Sequence, residues 1–235
     1  MIFAANFKTN NTRAYTKEYM ATLKDFVLSN DVKDNILVFP SATAFGDFEL
    51  PSSVKVGAQN AYPVQNGSYT GEIGLDHLEE FGIDTILIGH SERRVILKES
   101  QEFISQKFNY FKERGFKIVY CIGEPKEVRD EGIEKALEYL WSEFDGIDLG
   151  YEDMIVAYEP IWAIGTGVSA KIEDIDQVLS SLRVKIKLPL LYGGSVKSSN
   201  IKEILGVKDC DGVLVGSASW KVENFCEIIK NGIKG

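Results

Sequence analysis

The sequence predicts an α/β fold in which eight parallel strands close into a single-domain (β/α)8 barrel over residues 1–235. Short apolar runs of strand length alternate with stretches whose apolar residues recur at helical spacing, and this alternation occurs eight times. Strands separated by helices form parallel βαβ units, and repeated right-handed crossovers close such units into a barrel. Barrels of this kind have about 250 residues, close to the 235 found here. A doubly wound open sheet is the alternative, because periodicity alone does not show closure.

In the first half of the chain, the predicted strands cover residues 1–5, 36–39, 54–58, 85–88 and 117–121. Between the first two, Tyr19 and Leu23 recur at helical spacing with further apolar residues and predict a helix over 16–28. A short segment near 42–50 follows the second strand. A stretch over 103–111, rich in phenylalanine, predicts the helix before the fifth strand.

The second half repeats the pattern with predicted strands over 154–158, 188–192 and 213–215. Its predicted helices cover 133–144, 172–185, 201–205 and 222–229. In the second of these helices, Ile175, Val178 and Leu182 share one face, as expected for a helix that packs on a sheet. No Gly-x-Gly-x-x-Gly turn follows the first strand, which weighs against the dinucleotide-binding form of a doubly wound sheet.

Composition and charge restrict the class of partner. The formal net charge of −9 argues against nucleic acid or an anionic membrane as the main partner. A small anionic substrate is still compatible, because local amides and one or two lysines can outweigh a distant negative surface. The longest apolar runs are far shorter than the roughly 18 residues of a membrane span, and the first apolar run is too short for a signal peptide. We therefore expect a soluble, cytoplasmic protein.

The cysteines and histidines give no indication of a metal site or a disulfide framework. The sequence has three cysteines, Cys121, Cys210 and Cys226, and no two of them form a Cys-x-x-Cys pair. It has two histidines, His77 and His90. We expect reduced thiols and no bound metal.

The stretch over 158–167 is the part of the chain most indicative of chemistry. Glu159 ends the predicted sixth strand, where a carboxylate can meet a ligand, and Pro160 restricts it to extended backbone. Large apolar residues such as Trp162 then precede Gly165 and Gly167. An apolar tip on a loop favours a lid that closes over a ligand and excludes water. A strand end followed by an ordinary connecting loop is the other interpretation.

Other polar candidates also follow predicted strands, and in a barrel these strand ends meet at one rim. Lys8 follows the first strand, His90 the fourth, Ser195 the seventh and Gly216 the eighth. Each has an ordinary structural explanation when taken alone, such as a solvated lysine or a hydrogen-bonded histidine. Together with Glu159 they indicate an active site.

Four separated segments together resemble the triosephosphate isomerase family: residues 6–8, 89–94, 159–167 and 192–195. They agree with that family in residue type, order and spacing, and the resemblance covers essentially the whole chain. It implies a TIM barrel and an isomerase of glycolysis and gluconeogenesis. The implied reaction interconverts glyceraldehyde 3-phosphate and dihydroxyacetone phosphate through an enediol(ate), without a metal or an organic cofactor.

The resemblance implies a role for each matching residue. Glu159 is the expected base, strengthened as the apolar lid excludes water. His90 is the expected electrophile, because this family pairs a glutamate base with a neutral histidine beside a helix N-terminus. Asn6 and Lys8 are expected to bind the substrate and to complete an oxyanion site. Glu92 is expected to orient Lys8 or to brace the rim, with a helix-capping carboxylate as the alternative.

Small-residue turns after the last two strands predict a phosphate site. Such turns let backbone N–H groups approach an anion. Ser195, Gly216 and Ser217 are the expected phosphate-binding residues, with Gly165 on the lid as a further donor. A glycine pair alone is also compatible with a simple tight turn.

The loop over 59–74 is long for a connection between a strand and a helix, and long ordered loops are usually functional. The resemblance implies that it reaches the active site of a second subunit, with Thr70 touching the catalytic residues there. We therefore expect a homodimer formed through the 59–74 loop. A plain surface loop is the alternative, since Asn66, Gly67 and Ser68 are typical turn residues.

Some positions depart from the family pattern. Phe7 stands in place of the usual tryptophan and Thr9 in place of methionine, and residues 168–170 differ from the common lid hinge. Ser217 replaces the second of two glycines in the last phosphate turn. This serine is costly if the turn requires a positive φ and nearly neutral if it does not.

Two other functions remain open from the sequence. Another phosphosugar isomerase on the same fold usually takes a larger ligand, often with two phosphates, which a single phosphate cradle argues against. A non-catalytic sensor of phosphorylated ligands could lose Glu159 or His90 while keeping Gly194 and Gly216. Both chemical groups are present.

Overall fold

Eight parallel strands form a closed barrel in the structure, a computed structural model that describes residues 1–163 and 170–233. The strands are β1 (Ile2–Asn6), β2 (Asn35–Phe39), β3 (Val54–Val56), β4 (Thr85–Ile88), β5 (Lys117–Ile122), β6 (Met154–Tyr158), β7 (Leu190–Tyr192) and β8 (Gly212–Val215). Their order is β3-β2-β1-β8-β7-β6-β5-β4, with each neighbouring pair parallel. A parallel bridge between Ala58 and Ile86 joins the two ends of this sheet. The predicted barrel is confirmed, and the open sheet is excluded.

Helices connect the strands along the described chain. They are α1 (Arg13–Ser29), α2 (Leu75–Glu79), α3 (Ser91–Val95), α4 (Gln101–Lys112), α5 (Lys126–Asp130), α6 (Ile133–Ser142), α7 (Ile172–Arg183), α8 (Ile201–Leu205) and α9 (Val222–Gly232). Single 3-10 turns occur at Ala42–Ala44, Ile161–Ala163 and Ser217–Ser219. Within the described ranges, no helix combines the length and the apolar character needed to cross a membrane.

The connections around β3 differ most from the sequence-based prediction. The 42–50 segment contains only a 3-10 turn, because Pro40 and Pro51 bound it and prolines interrupt helices. The predicted strand over 54–58 ends at Val56, and Ala58 pairs with β4 instead. The α2 and α5 helices were not predicted, since five residues are too few to display a helical period.

Side chains of the strands alternate between two buried clusters. One cluster contains strand residues alone and fills the barrel interior: Ile2, Ala4, Leu37, Phe39, Leu87, Val119, Cys121, Ile155, Ala157, Leu191 and Leu214. The intervening residues, such as Phe3 and Ala5, pack with helix side chains in the second cluster. This period of two continues past the strands. The next inward positions after Ala4 and Ala157 are Asn6 and Glu159.

The three cysteines are free, with Cys121 and Cys210 buried. Burial raises the pKa of the Cys121 thiol well above its ordinary value, that of Cys210 to about 11 and that of Cys226 to about 12. Each is therefore protonated at neutral pH and a poor nucleophile.

Candidate active site

The carboxyl ends of the strands surround a cavity of about 920 Å³. The predicted site residues that line it are Asn6, Lys8, His90, Glu92, Glu159, Ser195, Gly216 and Ser217. Two predicted residues do not belong to this set. Thr70 is exposed in the 59–74 loop, and Gly165 lies outside the described residues. The other residues of the proposed lid from 164 to 167 and the first hinge residues, 168 and 169, also lie outside them, whereas Ile161 and Trp162 of the proposed apolar tip belong to a described 3-10 turn.

Glu159 is buried, with an exposed fraction of 3%, and faces His90. Its Oε1 lies 3.1 Å from His90 Nε2, and its Oε2 accepts a hydrogen bond of 3.3 Å from the Ser91 N–H. Burial raises the pKa of the Glu159 carboxyl, but His90, the Ser91 N–H and the charge of Lys8 outweigh it, so the pKa is lowered. The side chain is therefore an ionised carboxylate at neutral pH and can accept a proton.

The position of His90 at the start of α3 determines its tautomer. His90 caps the helix, and its Nδ1 accepts the backbone N–H of Glu92 at 3.2 Å. A ring nitrogen that accepts an N–H carries no proton of its own, so the proton of the neutral ring lies on Nε2. His90 therefore presents a neutral N–H donor toward Glu159.

Lys8 is held in a strained backbone conformation at the rim, with φ of 52°. Its backbone N–H donates to Asn6 Oδ1 at 2.9 Å, and its carbonyl accepts a hydrogen bond of 2.8 Å from Gln59 Nε2. Its Nζ lies 2.7 Å from Glu92 Oε1. Because the Asn6 amide oxygen accepts the Lys8 N–H, Asn6 presents its NH₂ group as the donor for a ligand. An ammonium and an amide donor are thus available beside each other at the mouth.

The turns after β7 and β8 also line the cavity. Ser195 Oγ donates to the Ala163 carbonyl at 2.9 Å, which joins the turn after β7 to the chain that follows Glu159. At Gly216, an added Cβ would lie 3.4 Å from Lys8 Cε. Ser217 begins a 3-10 turn, and its φ is not positive. The serine in place of glycine is therefore unstrained.

Sequence reasoning missed the glycines that make room for Glu159. An added Cβ on Gly193 would lie 2.8 Å from Glu159 Cγ, and one on Gly123 would lie 1.8 Å from the Glu159 carbonyl oxygen. Both follow the strands adjacent to β6. A glycine at the first inward position after a neighbouring strand is the signal that could have identified them.

Glu124 was also missed. It is buried after β5, and its Oε1 accepts hydrogen bonds from the Tyr158 hydroxyl at 3.0 Å and from Trp162 Nε1 at 2.9 Å. Burial raises the pKa of its carboxyl against the effect of these hydrogen bonds. Glu124 thus holds Tyr158, which precedes Glu159, and Trp162, which follows Glu159 three residues later. The signal in the sequence was a second Glu-Pro dipeptide after a strand, at Pro125.

The described residues contain no group of three or more His, Cys, Asp or Glu side chains that could hold a metal ion.

A family model described as triosephosphate isomerase matches residues 1–232. The chain belongs to the triosephosphate isomerase family. Among curated proteins named triosephosphate isomerase, that of a Sulfurovum species is 57% identical over 97% of this chain and 99% of the relative. That of a Nitratiruptor species is 54% identical over 98% and 97%. That of Wolinella succinogenes is 52% identical over 98% and 99%.

Membership of the triosephosphate isomerase family confirms the resemblance inferred from four short segments. The match extends from β1 through α9, so it includes the strand ends that surround the cavity.

Proposed function

We propose that this protein catalyses the reversible isomerisation of glyceraldehyde 3-phosphate and dihydroxyacetone phosphate through an enediol(ate). The observation that carries the proposal is the pair of His90 and Glu159, a neutral N–H donor and a buried carboxylate 3.1 Å apart. The reaction moves a proton between adjacent carbons, which requires one base and a donor for the neighbouring oxygens. The triosephosphate isomerase family supplies the substrate class.

In the proposed reaction, a substrate oxygen accepts the His90 Nε2–H and displaces Glu159 Oε1 from that position. Glu159 then removes a proton from the adjacent carbon, and the electron pair shifts to the carbonyl oxygen. Lys8 Nζ and the Asn6 amide stabilise the negative charge that develops there. His90 Nε2 gives its proton to the former carbonyl oxygen and takes the hydroxyl proton from the neighbouring oxygen. Return of the first proton from Glu159 to the other carbon then completes the isomerisation. The two carbons exchange oxidation level internally, so the reaction needs no external oxidant or reductant.

The phosphate of the substrate is proposed to bind at the turns after β7 and β8. Ser195, Gly216 and Ser217 line the cavity there, and glycine and serine turns bind anions through backbone N–H groups. Gly165, outside the described residues, is proposed as a further donor. Glu92 is proposed to orient Lys8 through the contact between their side chains.

We also propose a homodimer in which the 59–74 loop, with Thr70 near its tip, reaches the partner's active site. An apolar patch lies beside the cavity at the end of α3, formed by Val95, Ile96 and Leu97, and Ile96 is 70% exposed. Apolar surface of this kind marks an interface. A second copy of this chain would cover it.

Two further predictions accompany this proposal. Residues 1–235 are proposed to form one domain, a proposal supported by strands of one barrel from β1 to β8 and by a family match over nearly the same span. The protein is proposed to act in the cytoplasm.

The test is turnover of glyceraldehyde 3-phosphate by the purified protein in the presence of a metal chelator. We expect conversion to dihydroxyacetone phosphate, with kcat lowered roughly 100-fold or more in Glu159→Asp and in His90→Gln. Activity that does not depend on Glu159 would contradict the mechanism. Binding of a phosphorylated triose without turnover would favour the sensor, and turnover of a larger phosphosugar alone would favour the other isomerase.

A further inference from the structure

A buried ion pair lies beneath the mouth of the barrel, outside the residues that line the cavity. The side chains of Arg94 and Glu143 are 10% and 7% exposed, and Arg94 Nε lies 3.5 Å from Glu143 Oε1. Arg94 belongs to α3, and Glu143 follows α6. The proposed reaction uses neither of them. Ion pairs of this kind cost desolvation energy, so their position calls for an explanation.

Arg94 holds the backbone that carries His90. Its Nε donates to the carbonyl of Gly89, the residue before His90, at 2.7 Å. Its Nη2 donates to the Cys121 carbonyl at 3.2 Å and to the Tyr120 hydroxyl at 3.0 Å. One planar guanidinium therefore fixes the end of β4 against β5.

Glu143 holds the backbone that supports Glu159. Its Oε2 accepts the Gly123 N–H at 2.8 Å. Gly123 packs directly on the Glu159 carbonyl, where it leaves no room for a side chain. The Glu159 N–H in turn donates to the Ile122 carbonyl at 2.7 Å. A continuous set of contacts thus runs from the backbone before His90 through Arg94 and Glu143 to the backbone of Glu159.

The ionised form of Glu143 opposes folding at neutral pH. Burial raises the pKa of its carboxyl to about 7, against the effects of Arg94 and of the Gly123 N–H. A carboxyl group whose ionisation costs stability, kept next to a reacting pair, is typical of functional sites.

We infer that Arg94 and Glu143 are positioning residues, which together set the separation of His90 and Glu159. For turnover, this inference rests on the proposed function. The phosphate turns follow β7 and β8, whereas the contacts of the pair link β4 to β5 and β6. Loss of the pair is therefore expected to affect the chemical step and to leave substrate binding unchanged.

Glu143→Gln is the direct test, because glutamine keeps the size of the side chain and an oxygen for the Gly123 N–H. We expect kcat to fall about tenfold, since small misplacements of reacting groups have large effects. The KM and the Kd for inorganic phosphate should stay within about twofold of the parent values. Arg94→Lys keeps the charge, but it lacks the planar set of donors, and it should show the same separation of kcat from KM.

Two control variants separate positioning from general effects. Glu138→Gln removes an exposed carboxylate of α6, the helix that precedes Glu143. In the described part of the chain, Glu138 forms a salt bridge with Lys135. Leu182→Ala removes a buried side chain of α7 and lowers stability. We expect both to retain the parent kcat at a temperature where they are folded. A kcat unchanged in Glu143→Gln, or lowered equally in Leu182→Ala, would overturn the inference.

Nitrogen NMR of the imidazole rings tests the inference independently of turnover. The chain has two histidines, so His77 serves as an internal reference. We expect the Nε2 signal of His90 to shift in Glu143→Gln and to stay in place in Glu138→Gln. Absence of this shift would refute positioning. Failure of the parent protein to turn over would instead refute the proposed function, and the NMR result would still decide the inference.

Discussion

At the scale of single residues, the side chains that line the cavity are oriented by local hydrogen bonds to the backbone. His90 is a donor at Nε2 because its Nδ1 is occupied by the Glu92 N–H. Asn6 is a donor because its oxygen is occupied by the Lys8 N–H. In both cases a local backbone hydrogen bond selects the functional end of a side chain that could otherwise present either end.

Gly193→Ala is expected to lower kcat about tenfold or more and to lower the free energy of unfolding by about 1 to 3 kcal/mol. The added Cβ would lie 2.8 Å from Glu159 Cγ, so the carboxylate must move. A misplaced base removes the substrate proton more slowly. Gly193 is not among the described glycines with positive φ, so alanine can adopt its backbone conformation. Steady-state kinetics and thermal unfolding measure the two effects.

Gly46→Ala is the control, because an added Cβ there would lie 3.5 Å from Phe48 in ordinary contact. It should keep the parent kcat. A Gly193→Ala enzyme with full activity would show that Glu159 has more freedom than these distances indicate.

At the scale of secondary structure elements, the helices depend on caps that the sequence shows directly. Thr12 accepts the N–H of Tyr15 at the start of α1, and Ser100 accepts the N–H of Phe103 at the start of α4. Neither cap was used in the sequence-based boundaries. The observed α1 consequently begins three residues earlier than predicted.

Ser100→Ala is expected to lower the free energy of unfolding by about 1 kcal/mol, because it removes the hydrogen bond of 3.2 Å that satisfies the Phe103 N–H. Its kcat should not change, since Ser100 does not line the cavity. Urea unfolding measures the loss. Ser180→Ala in α7 is the matched control, because that hydroxyl donates to the helix's own Gln177 carbonyl. Equal losses in both variants would contradict the assignment of the cap.

At the scale of the whole molecule, stability and assembly reflect groups that are distant in sequence. Glu143 is an example, because its pKa is raised from 4.5 to about 7, chiefly by burial. Between these pH values the folded protein keeps a proton that the unfolded chain releases. The free energy of unfolding therefore falls as pH rises through this window, by up to about 3 kcal/mol from this group.

Glu143→Gln is accordingly expected to be less sensitive to pH. We expect its free energy of unfolding to change less between about pH 5 and about pH 8 than that of the parent, by up to about 3 kcal/mol. Urea titrations at the two pH values give this difference, with Glu138→Gln as the control. Identical pH dependence in Glu143→Gln and the parent would show that Glu143 titrates normally.

Ile96→Glu is expected to disrupt the proposed homodimer, because a charge would enter the apolar patch at the end of α3. The parent should sediment at twice the 26.2 kDa of one chain and the variant at the mass of one chain. We also expect lower kcat in the variant, since Thr70 of the other subunit would be missing. Leu28→Glu, at an exposed apolar position on α1, is the control. A parent protein that sediments as a monomer would refute the homodimer.

The sequence by itself determined the eight strands and the longer helices between them, because a period of two or of 3.6 is a local property that each segment carries. It also determined the location of the candidate site residues after the strands and the membership of the family, since these depend on residue type and order. Short elements such as α2 and α5 escaped this reasoning because one turn has no measurable period.

Only the tertiary structure decided how these groups act on one another. The tautomer of His90, the room left by Gly193 and Gly123, and the buried pair of Arg94 and Glu143 all depend on contacts between elements. Burial and distance across the barrel set the charge state and the orientation of each group, and no single segment contains that information. The residue types therefore predicted which groups take part, whereas their distances, burial and orientation required the closed barrel.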